Sequence, residues 1–124
     1  MTARIKRLAA CTASPNCVST LSAPEDSGHS IAPFRYSKTL SDATAQLKAV
    51  IAGLPRARLV EEDETYLHYE FTSLLLRFVD DVEFLFDEGA KTIHFRSASR
   101  VGYGDFGVNR RRMEDIRSRL QGKL

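Results

Sequence analysis

The chain has 124 residues, 43% of them hydrophobic, with 18 basic and 16 acidic side chains and a net charge of +2. That size supports one core and not two, and the near-balance of charge excludes a general pull toward nucleic acid or membrane. No apolar run exceeds four residues, and the three leucines Leu74, Leu75 and Leu76 are likewise far short of the roughly 18 residues of a membrane span, so no span is expected, and the charge balance predicts no nucleic-acid partner.

The small total hides a strong asymmetry. Residues 1–60 carry a net +5, residues 61–88 a net −9 and residues 89–124 a net +6. An acidic middle between two basic ends suits internal pairing.

Residues 1–30 are rich in Ser, Thr, Ala and Pro without sustained periodicity and read as an extended N-terminal arm preceding a single domain over 31–124. Leu8, Ala9, Ala10 and Cys11 spell the end of a lipoprotein signal. The ten residues before Cys11 nevertheless include Arg4, Lys6 and Arg7 and lack the apolar stretch of about 7–15 residues that such a signal needs. As it stands, the sequence predicts a cytoplasmic protein, or a periplasmic or plastid-lumenal one if a leader is missing. Cys11 and Cys17 are the only cysteines and flank a turn signal at Ser14, Pro15 and Asn16. In an oxidising compartment they close a disulfide loop; in the cytosol they stay as thiols.

A short strand is predicted from 31 to 36. Thr39 and Asp42 then form a capping pair, and Ala43, Leu47, Val50, Ile51 and Leu54 recur on one helical face until Gly53 and Pro55 stop the run. A strand over 58–61 follows. Three longer strands come next, in which Leu67, Tyr69 and Phe71, then Val82, Phe84 and Phe86, then Ile93 and Phe95 alternate onto the buried side. The last element is a helix over about 110–121, with Asn109 as N-cap, Val108 stapled onto Met113, and Met113, Ile116 and Leu120 at core spacing. The order defines an α+β domain, β-α-β4-α, with two helices on one face of an antiparallel sheet. That succession is similar to the TATA-box-binding-protein repeat and to helix-grip proteins, and a likeness of fold carries no function.

With turns centred near 76 and 89, the polar sheet face sets Glu70 opposite Glu83 and Glu83 opposite Arg96, with His68 and His94 flanking Leu85. Two crowded carboxylates predict a raised pKa on one of them, and His68, Glu70, Glu83 and Arg96 are the candidate residues of an enzyme, with metal assistance as one form. The two histidines stand two strands apart, about twice the strand spacing of roughly 5 Å, so neither a metal site nor a cofactor is expected. Phe78, Phe84 and Phe95 are the candidates for a helix-grip pocket holding an apolar molecule.

The segment RSASRVGYGDFGVNRRR, residues 96–112, concentrates the remaining chemistry. Gly102, Gly104 and Gly107 match GxGxxG, but only 17 residues follow, too few for the second strand and acidic residue of a dinucleotide-binding unit. Arg110, Arg111 and Arg112 sit in the first helical turn, where the backbone already carries about half a positive charge and each cation costs about 0.3–1 kcal/mol without a counter-charge. Asp105, Asp80 and Asp81 are the internal candidates, reached by Arg100 or the triplet; an external anion or acidic partner is the other. The expected ligand-binding set is Arg96, Ser97, Ser99, Arg100, Asp105, Asn109, Arg110 and Arg112 with Asp80 and Asp81. It implies a non-catalytic module holding an anionic small molecule or an acidic protein surface.

Three blocks, CTASPNCVST, YLHYEFTSLLLRFVDDVEF and RSASRVGYGDFGVNRRR, resemble the family called domain of unknown function 1499, over residues 11–121. Thr12 replaces a proline of the family pattern, and Gly104 stands where serine is common. The resemblance implies bacterial relatives that often follow a signal or membrane segment and chloroplast relatives in plants. It carries over no catalytic residues. A lumenal or periplasmic disulfide between Cys11 and Cys17 fits such secreted relatives.

Overall fold

A computed structural model describes residues 8–11, 16–101 and 107–124. The elements are β1 (Cys17–Ser19), β2 (Phe34–Arg35), α1 (Leu40–Ala52), β3 (Ala57–Asp63), β4 (Tyr66–Thr72), β5 (Val79–Asp87), β6 (Thr92–Ser99) and α2 (Val108–Leu120). The sheet runs in the order β1-β6-β5-β4-β3, with antiparallel neighbours throughout, and β2 pairs the other end of the outer edge of β6. This is the α+β arrangement expected from the pattern, with one strand added by the N-terminal segment. Although the sequence there reads as an arm, Val18 is buried in the core, and Ser19 bridges to Ser30.

Both helices lie on the face built by alternate residues of the long strands. Ala43, Leu47, Val50 and Ile51 of α1 and Met113, Ile116 and Leu120 of α2 form one core with Leu67, Tyr69, Val82, Phe84, Ile93 and Phe95. Aromatic rings knit that core, Tyr69 edge to face with Phe84 and the other pairs tilted. Phe34 lies 4.6 Å from Phe95, and Phe84 lies 6.2 Å from Tyr69 and 6.3 Å from Phe95 between centroids. Burial pushes the Tyr69 hydroxyl up to about 12, with Glu62 adding to the effect. Phe84 and Phe95 are therefore packed against each other, while Phe78 is exposed at the β4–β5 turn. They do not line a common pocket.

Thr39 caps α1 as expected, its hydroxyl accepting from the Asp42 amide at 3.1 Å. The start of α2 departs from expectation. The helix begins at Val108, and its N-cap is Gly107 at φ 77°, a left-handed position that glycine fills without strain. Asn109 is not the cap, because its side chain is spent on the sheet.

Register also differs from the simple meander. Glu70 lies opposite Asp81, His68 opposite Glu83, and Leu85 between Tyr66 and His94, whereas Glu83 faces Arg96 as expected. The six-residue β4–β5 turn moves the pairing by two positions, which preserves the faces but changes the partners. Within it Ser73 accepts and donates across to Phe78, and Arg77 takes a left-handed φ of 59°. In β3 a bulge between Leu59 and Glu61 breaks the ladder with β4.

Candidate functional site

Strand periodicity divides the expected ligand-binding set between two faces. Asp80 points to the helix side with Val82 and Phe84, and Asp81 points to the open side with Glu83. Two adjacent aspartates thus belong to separate clusters.

On the helix side, Arg112 donates from Nη2 to Asp80 at 2.7 Å and from Nη1 to the Asn109 carbonyl at 2.8 Å and the Ser97 hydroxyl at 3.2 Å. Its guanidinium carbon sits 4.8 Å from the centre of the Phe71 ring. Asn109 is fully buried and every hydrogen-bonding site of its amide is used. Oδ1 accepts from Ser97 at 2.6 Å as well as from Arg112, and Nδ2 donates to the Asn16 carbonyl at 3.0 Å and to Ser99 at 3.1 Å. Ser97, Ser99, Asn109, Arg112 and Asp80 therefore form one polar knot joining α2 to β5, β6 and the segment before β1.

On the open side, Arg100 grips two acids. It reaches Asp81 from Nε and Nη2 at 2.8 and 2.9 Å and Glu70 from Nη2 at 2.5 Å. Glu70 also accepts from Arg58, and Asp81 also pairs with His68, each at 2.8 Å. Arg100, then Arg58, hold the Glu70 carboxyl below the ordinary carboxylate range; Arg100 and His68 do the same for Asp81 against the opposing effect of burial. The same contacts raise Arg100 further. The crowded Glu70 and Glu83 pair anticipated from sequence is absent, and Glu70 shifts down instead of up.

Further along that face, Glu83 accepts from the Tyr66 hydroxyl and stands 4.0 Å from Arg96, whose Nε is buried without a hydrogen-bond partner among the described residues. Burial holds His94 below its ordinary pKa. The Thr20 hydroxyl accepts from the Phe95 amide and lies within hydrogen-bond distance of His94 Nδ1, 3.1 Å away. His68, Glu70, Glu83 and Arg96 thus share a face but divide into two groups, His68 and Glu70 joined through Asp81 and Arg100, and Glu83 beside Tyr66 and Arg96.

Arg110 turns away from both clusters. It donates from Nη2 to the carbonyls of Ser27, Gly28 and Ser30, at 3.3, 3.4 and 2.9 Å, and ties the loop after β1 to α2. The adjacent arginines are thereby distributed, and Arg110 and Arg112 meet no common point. Asp105, Gly102 and Gly104 lie outside the described residues.

Cys11 and Cys17 are joined by a disulfide with 5.7 Å between Cα atoms. It anchors residues that cross onto the open sheet face, where Leu8 is buried against Tyr66 and Leu85 and the Ala9 carbonyl accepts from Ser19.

One surface feature went unread in the sequence. At the β4–β5 turn, Leu74, Leu75, Leu76 and Phe78 are 63%, 87%, 69% and 48% exposed. Arg77 lies among them, and Arg56 flanks them, its Nε donating to the Thr72 carbonyl at 3.0 Å. Neither arginine has a carboxylate partner among the described residues. The available signal was LLLRF itself, a run without alternation between two alternating strands.

The fold and these clusters define a small α+β protein with an antiparallel sheet and two helices on one face. The chain belongs to the family described as protein of unknown function (DUF1499), whose model matches residues 7–120. No curated protein matches it.

Proposed function

We propose that this protein is a non-catalytic binding module that works through the end of the sheet carrying the β4–β5 turn. One observation carries the reading: four large apolar side chains stand exposed within five consecutive residues, in a protein whose other strand aromatics are buried. The partner is anionic in character, because residues 54–60 and 72–79 include Arg56, Arg58 and Arg77 and no acid. The arginines of residues 96–112 serve this module as scaffold. Arg112 and Arg100 pair with acids of β4 and β5 and hold the strands that present the turn.

The disulfide supports an oxidising compartment, since a cytosolic environment keeps such thiols reduced. Alkylation of the protein from cells before and after reduction reads this directly; cysteines that label fully without reductant defeat the assignment.

Photo-crosslinking in living cells tests the module. A photoreactive amino acid at Leu75 is expected to give abundant adducts, lipid or protein, and the same group at Glu64, on the opposite end of the sheet, few. Equal labelling at both positions overturns the reading.

A further inference from the structure

Resting on the reading of the β4–β5 turn as the working surface, we infer that its partner is an anionic bilayer surface, into which the leucines insert while Arg56 and Arg77 engage lipid phosphates. The shape of the surface favours lipid. Leu74, Leu75, Leu76 and Phe78 stand exposed on a six-residue turn at the end of two strands, and a fluid acyl layer takes up such side chains without needing a matching pocket. Val101, also exposed, follows Arg100, whose amide bonds to the Val79 carbonyl beside the turn.

Charge gives the approach a direction. At the turn end the cations Arg56 and Arg77 have no carboxylate partners among the described residues, and Arg58 is balanced by Glu70. At the other end of the same strands, Asp63 and Asp87 close β3 and β5, and the connections that follow carry Glu64 and Glu88, with Lys91 as their one cation. A strand of seven residues separates the two ends by roughly 20 Å, more than two Debye lengths at physiological salt. An anionic surface therefore attracts the turn end without strong opposition from the acidic one, and the molecule arrives with its strands upright and LLLRF leading. Guanidinium groups suit that surface because they bind phosphate oxygens in bidentate fashion while remaining charged.

The chain contains no tryptophan, so L75W introduces a single reporter at an exposed position. The full chain carrying L75W is mixed with phosphatidylcholine vesicles and with vesicles containing about 30% phosphatidylserine. Anionic vesicles are expected to shift the indole emission to the blue, to expose it to brominated-lipid quenching, and to bind at least about tenfold more tightly than neutral ones, with loss at high salt. In the wild-type background, L74S/L75S/L76S should lower vesicle cosedimentation at least about tenfold with the melting temperature unchanged, and R56E/R77E should do the same on anionic vesicles only.

Cosedimentation unaffected by L74S/L75S/L76S overturns the inference, as does an unshifted indole with both vesicle types. An emission shift that follows protein concentration without lipid overturns it in favour of a second copy of the chain. Protein adducts at Leu75 in cells combined with silent vesicles would overturn the lipid assignment and leave the binding module standing. The absence of adducts of either kind would remove both.

Discussion

Arg112 and Arg100 are both paired with aspartates of β5, one residue apart, yet they occupy opposite environments. Arg112 and Asp80 are nearly covered, lie over an aromatic ring and share a network with a fully buried asparagine. Arg100 is half exposed and holds Asp81 and Glu70 on the open face. A covered ion pair left with one partner strands a desolvated charge, whereas an exposed one returns its partner to water. The difference teaches that the helix-side pair locks the architecture and the open-face pair adjusts the surface.

The strongest way to break that contrast is Arg112→Ala. With Asp80 left buried and unpaired, it is expected to lower unfolding stability by about 3–5 kcal/mol in urea titration. Joint replacement of Arg112 by Met and Asp80 by Leu should recover most of that loss. A loss below about 1 kcal/mol for Arg112→Ala would place both arginines in the same class. Next comes Asn109→Ala, which strands the Ser97 and Arg112 donors and the Asn16 carbonyl; its expected cost is about 1–3 kcal/mol by the same titration.

Acid sharpens the contrast from the other side. Glu70 and Asp81 have depressed carboxyl pKa values, so their stabilisation is complete above the unfolded values of 4.5 and 3.8 and is lost as pH falls through the lower folded values. His94 acts in the same direction at higher pH. Its folded pKa is depressed, so the unfolded chain takes the proton first, and stability declines once pH drops below 6.5. Melting temperature should therefore be flat from pH 8 to 7 and fall in two stages toward pH 3. His94→Gln should remove the upper stage. The smallest effect is expected for Arg100→Ala, which should leave the neutral-pH melting temperature within about 2 °C of wild type and chiefly weaken the lower acid stage.

The sequence made the layers legible because hydrophobic period reports the buried face directly, as Leu67, Tyr69, Phe71 and Val82, Phe84, Phe86 illustrate. It left the partners open because register depends on turn geometry. The β4–β5 turn uses a left-handed arginine, which no composition rule marks, and the two-position change moved Glu70 from Glu83 to Asp81. Asn109 looked like a cap because asparagine favours that position; a nearby serine pair and a carbonyl just before β1 offered its amide a fuller set of bonds. β1 escaped notice because three residues are too few to display alternation. The candidate site was legible as a composition of arginines and aspartates. Its division by Asp80 and Asp81 follows from strand geometry alone. LLLRF was conspicuous as a run, but whether such a run is core or surface is decided by where the strands end.

The bulge in β3 has a consequence for association. Among the described residues that strand is the one long border of the sheet without a neighbour, and bare borders invite hydrogen-bonded growth from chain to chain. The extra residue between Leu59 and Glu61 disturbs the spacing that an incoming backbone would have to match, and in a parallel in-register approach Glu61, Glu62 and Asp63 face their own copies. The fold thus hinders edge-to-edge growth along β3.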